Sequence, residues 1–365
     1  MKVLITGGHL GPALAVIEEL DQKNQIIFVG RKYASNKEKT VSLEYREIEK
    51  RKIPFYNLTA GRLTRIASLG SLEHIFKIPL GFYQALLILK KEKPDLILSF
   101  GGYIAFPICF LGYILKIPIF IHEQTIHPGI SNRLSGFFAK KIFVSFKESA
   151  KFFPESKTIV SGNPVRKAVL RIIKKVFDLK KGLPIIYITG GSIGSHNVNL
   201  HVEHILDKLL EKYIIIHQTG NIRQYGDFER LKIFKNKLPI EKRENYFLKD
   251  HFLDDELGYI YSQADIVVGR SGANTFFEIL AWKKPSVLIP LPWSASGEQL
   301  KHAELIKSAG TGEIFNQSND SDKLLILINK IIKDKEKYIN NFKNLQKLYQ
   351  QNAASVIVKS ISQAR

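Results

Sequence analysis

Residues 1–20 read MKVLITGGHLGPALAVIEEL. The apolar run VLIT (3–6) ends at two glycines and is followed by an amphipathic segment of helical length, which is typical of the first strand and helix of an α/β domain. A strand that is apolar at every position is buried on both faces, as in a parallel sheet covered by helices on both sides. We therefore expect this N-terminus to be a first strand and not a signal peptide.

The same unit, an apolar run followed by a helical segment, recurs in both halves of the chain. Each half opens with a strand that ends in glycines, so the sequence predicts an α/β protein with two doubly wound domains. The further runs are IIFVG (26–30), LILSF (96–100), PIFIH (118–122) and KIFVSF (141–146), then PIIYITG (184–190), YIIIHQ (213–218), DIVVG (265–269) and SVLIP (286–290).

The pattern is interrupted at 162–183, where Pro, Gly and many Lys and Arg residues separate the two series. We place an N-terminal domain at 1–163 and a C-terminal domain at 164–345. Helical segments fill about 320–365. The last of them, 346–365, is expected to pack back toward the N-terminal domain.

Composition narrows the class of protein. The 365 residues are 45% hydrophobic and 24% charged, which is ordinary for a globular protein and excludes a disordered chain. The single cysteine, Cys109, excludes a disulfide framework and a cysteine-based metal site. Every apolar stretch is too short, or too interrupted by charges, for a membrane span.

The net charge of +20 raises the question of partners. Residues 51–147 hold 13 basic and 4 acidic side chains, which is most of the excess in the first half. Nucleic acid, an anionic membrane and phosphate-bearing substrates all attract such a surface. The chain has no RGG run, zinc-finger spacing or Lys/Arg block, so nucleic acid is the least expected partner.

Polar residues follow the predicted strands of the first half, at the sheet edge where ligands of such folds bind. Gly7 and Gly8 either bind a phosphate or form a tight turn, and His9 is either a general base or structural. Gly101-Gly102-Tyr103 follows LILSF, and His122-Glu123-Gln124-Thr125 overlaps the end of PIFIH. Polar groups there either form a buried network or face a cleft.

Two segments of the second half suit a phosphate-bearing ligand. Gly190-Gly191-Ser192 is a glycine turn that ends in a hydroxyl donor. In GRSGANTFFE (269–278), the helix amides at 273–275 suit a pyrophosphate, and Glu278, one turn further on, can accept both hydroxyls of a ribose. The alternative for this segment is an N-capped helix with a solvated Glu. Asp254-Asp255 is interpreted as a helix cap and not as a metal-binding pair.

Taken in order, these motifs resemble the MurG family of glycosyltransferases along nearly the whole chain: the first glycine turn, GGY, HEQ, GNPVR, GGS, and RSGAxT with its Glu. The resemblance implies a GT-B fold, with two Rossmann-like domains facing across a cleft. It also implies inverting transfer of GlcNAc from UDP-GlcNAc to undecaprenyl-diphosphate-MurNAc-pentapeptide (lipid I), which forms lipid II in peptidoglycan synthesis. No metal or other cofactor is expected.

The resemblance also assigns roles to residues. On the acceptor side it implies a phosphate loop at Gly7 and Gly8, His9 as the candidate base, and a contact from Tyr103. On the donor side it implies that Ser192 and the amides of Ala273, Asn274 and Thr275 hold the diphosphate, that Glu278 binds the ribose, that Leu253 lies beside the uracil, that Arg166 approaches the donor, and that Thr125 and Gln299 contact the sugar.

Three positions depart from the family pattern. The loop ITGGHLGPALA is shorter than the usual GGGTGGHxxPALA, Thr125 replaces the Asn of HEQN, and Glu298-Gln299 replaces Gln-Gln. Three alternatives therefore remain open: another polyprenyl- or lipid-linked glycosyltransferase, a UDP-GlcNAc 2-epimerase, and a protein that keeps the fold without activity.

Residues 69–91 combine apolar side chains with Lys77, Lys90 and Lys91, close in sequence to Arg62 and Arg65. We expect Leu86–Leu89 to face the domain core. Ile75, Phe76, Leu80 and Phe82 are candidates for an exposed patch that rests on an anionic membrane surface. The resemblance implies peripheral attachment at the cytoplasmic face of the cell membrane.

Overall fold

The computed structural model describes residues 1–365 except 21–22, 34–40, 60, 62–68, 181, 192, 221–224, 295–296 and 364–365, and for 69–77 it describes the backbone alone. Contacts divide the chain into two compact units. The N-terminal unit is Met1–Pro164 with Gln350–Arg365, and the C-terminal unit is Val165–Tyr349.

The N-terminal unit is built on seven parallel strands in the order β3-β2-β1-β4-β5-β6-β7. Ile5 lies beside Phe28 on one side and Leu98 on the other, and all three belong to one core cluster. Leu4 and Val29 belong to a second cluster, so both faces of the sheet are buried. The strands are β1 (Lys2–Thr6), β2 (Gln25–Gly30), β3 (Phe55–Asn57), β4 (Leu96–Ser99), β5 (Ile119–Glu123), β6 (Lys141–Val144) and β7 (Thr158–Val160).

Helices connect these strands. Among them, α3 contacts α4, and α4 contacts α5. The helices are α1 (Leu10–Glu19), α2 (Leu43–Lys50), α3 (Leu69–Glu92), α4 (Ala105–Ile114), α5 (Ile130–Gly136) and α6 (Lys147–Ala150), with a short 3₁₀ helix at Glu155–Lys157.

The C-terminal unit repeats the architecture with six parallel strands in the order β10-β9-β8-β11-β12-β13. Its strands are β8 (Ile185–Thr189), β9 (Ile214–Gln218), β10 (Tyr246–Lys249), β11 (Ile266–Gly269), β12 (Ser286–Leu288) and β13 (Gly312–Ile314). Its helices are α7 (His196–Leu210), α8 (Asp227–Lys237), α9 (Ile240–Glu244), α10 (Asp254–Gln263), α11 (Ala273–Trp282), α12 (Glu298–Ser308), α13 (Ser321–Lys333) and α14 (Lys335–Asn340), followed by a 3₁₀ helix at Asn341–Leu348.

The chain then returns to the N-terminal unit as helix α15 (Ala353–Ser362), which packs on α1. Ile357 and Ile361 of this helix are fully buried in the same cluster as Val3 and Ile5. Burial of these side chains at one turn's spacing attaches the end of the chain to the first sheet.

Strand order brings the predicted motifs together in each unit. Because β1, β4 and β5 are neighbours, the residues that follow them meet at one sheet edge. The His9 amide donates to the carbonyl of Phe100 (3.2 Å), and a Cβ on Gly8 would lie 2.3 Å from the carbonyl oxygen of Gly101. Only glycine allows this approach of the two loops.

The nine predicted strands are confirmed, with shifts of one or two residues at their ends. Strands β3, β7, β10 and β13 were not predicted, and they are the outermost strands of the two sheets. The predicted closing series of helices is also confirmed. Across the described part of the chain, no helix combines the length and the apolar character needed to cross a bilayer.

The prediction for the apolar part of α3 was partly wrong. Ile88 and Leu89 are buried as expected, but Leu87 is 50% exposed. Leu80 is exposed, whereas Phe82 is half-buried with its ring edge-on to Phe106 and Phe110. The aromatic neighbours on α4 remove Phe82 from any surface patch. The side chains of Ile75 and Phe76, and residues Arg62 and Arg65, lie outside the described part of the chain.

Candidate active site

The N-terminus of α11 lies at the carboxyl end of β11 and has no side-chain cap at its first position, Gly272. The first amides of a helix lack intrahelical acceptors, and the helix dipole favours negative charge there. Ala273 and Thr275 of this first turn are buried, while Asn274 is exposed. The turn is therefore suited to an anionic group of a ligand.

Arg270 lies directly before this turn and is 6% exposed. Its Nε donates to the hydroxyl of Ser195 (3.0 Å) and its Nη1 to the carbonyl of Ile289 (3.0 Å). Among the described residues no carboxylate pairs with it, and burial lowers its pKa to about 10. A buried guanidinium without a counter-charge is costly, so this position favours a bound anion.

The glycine turn after β8, Gly190-Gly191, adjoins Arg270. The Arg270 amide donates to the carbonyl of Thr189 (3.2 Å), the last residue of β8. The backbone at Gly194 lies against Thr219 and Gly220. A Cβ on Gly194 would lie only 2.2 Å from the carbonyl oxygen of Thr219, so this contact requires glycine at position 194. The side chain of Gln218 donates to the Gly191 carbonyl (3.0 Å) and accepts from the Phe252 amide (3.0 Å), which joins this turn to the loop before α10. Ser192, a predicted phosphate ligand, lies outside the described residues.

Glu278 lies one turn into α11 and is 7% exposed. Its Oε1 accepts from Arg166 Nη2 (3.2 Å), and its Oε2 accepts from the hydroxyl of Tyr261 (2.8 Å). Burial raises the pKa of Glu278, and the Arg166 charge opposes that shift. The interpretation of Glu278 as a solvated surface residue is wrong, because this carboxylate is enclosed and oriented by two donors.

Arg166 also forms an ion pair with Asp254 at the start of α10. The interpretation of Asp254-Asp255 as a helix cap was therefore incomplete. The capping carboxylate is that of Glu256, whose Oε2 accepts from the Leu253 amide (2.9 Å). Leu253 itself is 42% exposed at this helix start, so its side chain is available to a ligand.

The predicted sugar contact, Gln299, is the second residue of α12. The side-chain oxygen of Gln299 accepts from the Leu291 amide (3.0 Å), and the backbone carbonyl of Gln299 accepts from the Ser271 hydroxyl (2.7 Å). The ring of His302 contacts the Ser271 carbonyl (3.0 Å). These bonds fix Gln299 beside the N-terminus of α11.

In the N-terminal unit, His9 is the residue before α1. Burial lowers the pKa of His9, and the negative charge of Glu123 opposes that shift. The described residues give its ring nitrogens no hydrogen-bond partner. A neutral imidazole beside a carboxylate can accept a proton, and the carboxylate stabilises the cation that forms.

His122, Glu123 and Thr125 form a buried network, which favours the structural alternative for this stretch. The Thr125 hydroxyl contacts Glu123 Oε1 (2.7 Å) and the carbonyl of His127 (2.8 Å), and Asn132 donates to Glu123 Oε2 (2.9 Å). Burial lowers the pKa of His122 to about 3, so its ring stays neutral. The Thr125 hydroxyl is thus used inside its own unit, and its proposed sugar contact stays a prediction.

Tyr103 is half-buried after β4, and the guanidinium of Arg31 lies 5.6 Å from its ring centroid. A stacked arginine brings positive charge to this edge of the first sheet. Arg31 follows β2 directly, so the charge lies close to the loop that carries Gly7 and Gly8.

Family models match both halves of the chain. Residues 6–144 match the glycosyltransferase family 28 N-terminal domain, and 185–360 match the family 28 C-terminal domain. A Clostridium kluyveri protein named UDP-N-acetylglucosamine--N-acetylmuramyl-(pentapeptide) pyrophosphoryl-undecaprenol N-acetylglucosamine transferase is 33% identical over 94% of each chain. A Bacillus cereus protein of the same name, numbered 2, is 33% identical over 100% of this chain and 99% of its own.

A crystal structure of Acinetobacter baumannii MurG superposes with a TM-score of 0.71 and 25% identity over 99% of both chains. The chain belongs to the MurG family. The two parallel sheets and this match establish the GT-B fold. A UDP-GlcNAc 2-epimerase from Neisseria meningitidis shares that fold, with a TM-score of 0.64 at 16% identity over the full length of both chains.

In this MurG-family chain, three residues contact the candidate site without a role that was predicted from sequence. Arg270 lies in the motif GRSGANTFFE, where a basic residue directly before a helix N-terminus is a signal for anion binding. Tyr261 and Glu44 carried no signal, because each acts through a contact made only after folding.

Proposed function

We propose that the protein transfers GlcNAc from UDP-GlcNAc to lipid I to form lipid II, as an inverting glycosyltransferase. Membership of the MurG family supports this proposal, together with the names of relatives that match over nearly the full chain. The observation that carries it is the enclosed anion site formed by Arg270 and the uncapped N-terminus of α11, with the Glu278 carboxylate one turn away.

On the donor side, the diphosphate binds at the amides of 273–275 with Arg270 beneath it. Glu278 accepts hydrogen bonds from the ribose hydroxyls, Leu253 packs beside the uracil, and Gln299 contacts the sugar. As the bond from the anomeric carbon to the phosphate oxygen breaks, its electron pair stays on UDP. The helix dipole and the guanidinium stabilise that charge without reorganising. Such preorganised electrostatic stabilisation is often the largest contribution to an enzyme's rate enhancement.

On the acceptor side, His9 takes the proton of the attacking sugar hydroxyl as the new bond to the anomeric carbon forms. The Glu123 charge stabilises the resulting imidazolium, and the bonds from Asn132 and Thr125 fix Glu123 in place. Tyr103 lines this side. Direct attack on the opposite face from UDP gives inversion.

Attachment to an anionic membrane is the second part of this proposal. The α3–α5 patch consists of large apolar side chains that the structure leaves exposed, and Phe137 is the most exposed at 69%. Its members are Leu80, Tyr83 and Leu87 of α3, Tyr113, Ile114 and Leu115 at the end of α4, and Leu134 and Phe137 at α5. Such an apolar area marks an interaction surface.

Basic residues border the α3–α5 patch. Lys90 and Lys91 are exposed and lie one turn from Leu87, on the same face of α3. Lys116 follows the exposed end of α4. An apolar area with lysines beside it suits the cytoplasmic leaflet, whose lipids are anionic.

Replacing Lys90 and Lys91 with glutamine should weaken sedimentation with anionic vesicles by about 30-fold, since each lysine near such a surface contributes about 1 kcal/mol. The matched control is Lys343→Gln with Lys347→Gln, which changes the net charge equally at exposed sites outside the patch. Equal binding of the unmodified protein to neutral and anionic vesicles would contradict the electrostatic part.

The donor assignment is tested by competition. UDP-GlcNAc, UDP-glucose and UDP-GalNAc, each with a different isotopic label in its sugar, compete for transfer to purified lipid I, and the product lipids are resolved by mass. We expect GlcNAc to dominate the product. A preference for another sugar would show that Glu298 and Gln299 select differently from the Gln-Gln pair that they replace.

A further inference from the structure

The N-terminus of α2 is fixed to the end of β2. Ser42 caps this helix by accepting from the Tyr45 amide (3.1 Å), and its hydroxyl donates to the Arg31 carbonyl (2.5 Å). The Ser42 amide donates to the carbonyl of Lys32 (2.8 Å). These bonds hold Glu44, in the first turn of α2, at a defined position beside the sheet edge.

The Glu44 carboxylate lies directly against the first glycine loop. Its Oε2 accepts from the Arg31 amide (2.9 Å). A Cβ on Gly7 would lie 1.6 Å from Oε1, and one on Gly30 would lie 2.6 Å from Oε2. Both glycines therefore leave room for this carboxylate, which occupies the space where the sequence predicted a phosphate.

The amides of this loop are already engaged. Gly7 donates to the Val29 carbonyl (2.9 Å), and His9 donates to that of Phe100 (3.2 Å). The Gly8 amide, between them, interacts with the Glu44 carboxylate and lowers its pKa, against the raising effect of burial. An acceptor phosphate would find no amide of residues 7–9 available unless Glu44 moved away.

We propose that Glu44 is the resident anion of the first glycine loop and a positioning residue for His9. The carboxylate fixes the Gly8 peptide, and the next residue is His9, whose ring must meet the acceptor hydroxyl at a defined distance. In consequence, the acceptor diphosphate is bound by groups other than the amides of residues 7–9. The kinetic part of this inference rests on the proposed function.

The test compares Glu44→Gln and Glu44→Asp with the control Glu47→Gln, which removes a carboxylate from the same helix that pairs with Lys50 and Arg51 away from the loop. Amide hydrogen exchange is measured on a peptide covering residues 7–10. Loss of a charged hydrogen bond should speed exchange by about tenfold or more in both Glu44 variants and leave the control unchanged. Exchange at the control level would overturn the assignment.

Steady-state kinetics supply the second readout. We expect kcat to fall by about tenfold or more in Glu44→Gln, with both KM values changed by less than about twofold. A lower KM for lipid I at unchanged kcat would overturn the positioning role, because it would mean that Glu44 competes with the acceptor diphosphate. Absence of transfer by the unmodified protein would contradict the proposed function alone, since the exchange result does not depend on activity.

Discussion

Replacing His9 with alanine should lower kcat by about 10²- to 10⁴-fold and leave KM for UDP-GlcNAc within about twofold. The reason is that His9 is the general base of the proposal, and the donor-binding residues other than Thr125 belong to the C-terminal unit. The control is His204→Ala, which removes an exposed histidine from α7. Full activity in His9→Ala would remove this residue as the base.

The pH profile gives an independent check on His9. Because burial lowers its pKa below the ordinary 6.5, the neutral ring persists to lower pH, and only the neutral ring can accept a proton. In the unmodified protein, kcat should therefore decline on the acid side with a midpoint below pH 6.5. This decline should be absent from His9→Ala. An acid limb that persists in the variant would assign it to another group.

Replacing Glu278 with alanine should raise the Kd for UDP-GlcNAc by about 10- to 100-fold, which corresponds to the loss of charged hydrogen bonds worth about 1.5–3 kcal/mol. Isothermal titration measures this directly. Glu278→Gln keeps the shape but loses the charge that pairs with Arg166, so we expect an intermediate loss. Glu241→Ala, in the exterior helix α9, is the control.

Deoxyribose analogues of the donor show whether the ribose is the partner of Glu278. The unmodified protein should bind 2′-deoxy-UDP more weakly than UDP, whereas Glu278→Ala should bind the two alike. This pattern is the coupling expected of groups in contact. An equal penalty for the analogue in both proteins would mean that Glu278 acts on another part of the donor.

The central strands were predictable from sequence because they are buried on both faces and therefore apolar at nearly every position. Their neighbours at the sheet edges were not. β3 reads FYN and β13 reads GEI, and runs of three residues with a polar member match no strand pattern. Their strand form comes from pairing with β2 and β12, which is tertiary information.

The residues of the candidate site likewise fall into those that local sequence could predict and those that it could not. Glycine turns and helix starts are local, so an anion site at 273–275 could be proposed from its motif alone. The Arg166 pairs with Asp254 and Glu278 join residues far apart in the chain, and no spacing predicts such contacts. The first glycine loop shows the limit most clearly, because its sequence suits a phosphate while its anion is supplied by Glu44 from another helix.

The proposed function requires that GlcNAc moves from the nucleotide to a lipid. Radiolabelled UDP-GlcNAc is incubated with the protein and lipid I, and the lipid and aqueous phases are then analysed separately. We expect label in a product with the mass of lipid II and an equal amount of UDP. Label that stays in the aqueous phase as epimerised UDP-sugar, with no labelled lipid, would contradict the proposed function and favour 2-epimerase chemistry.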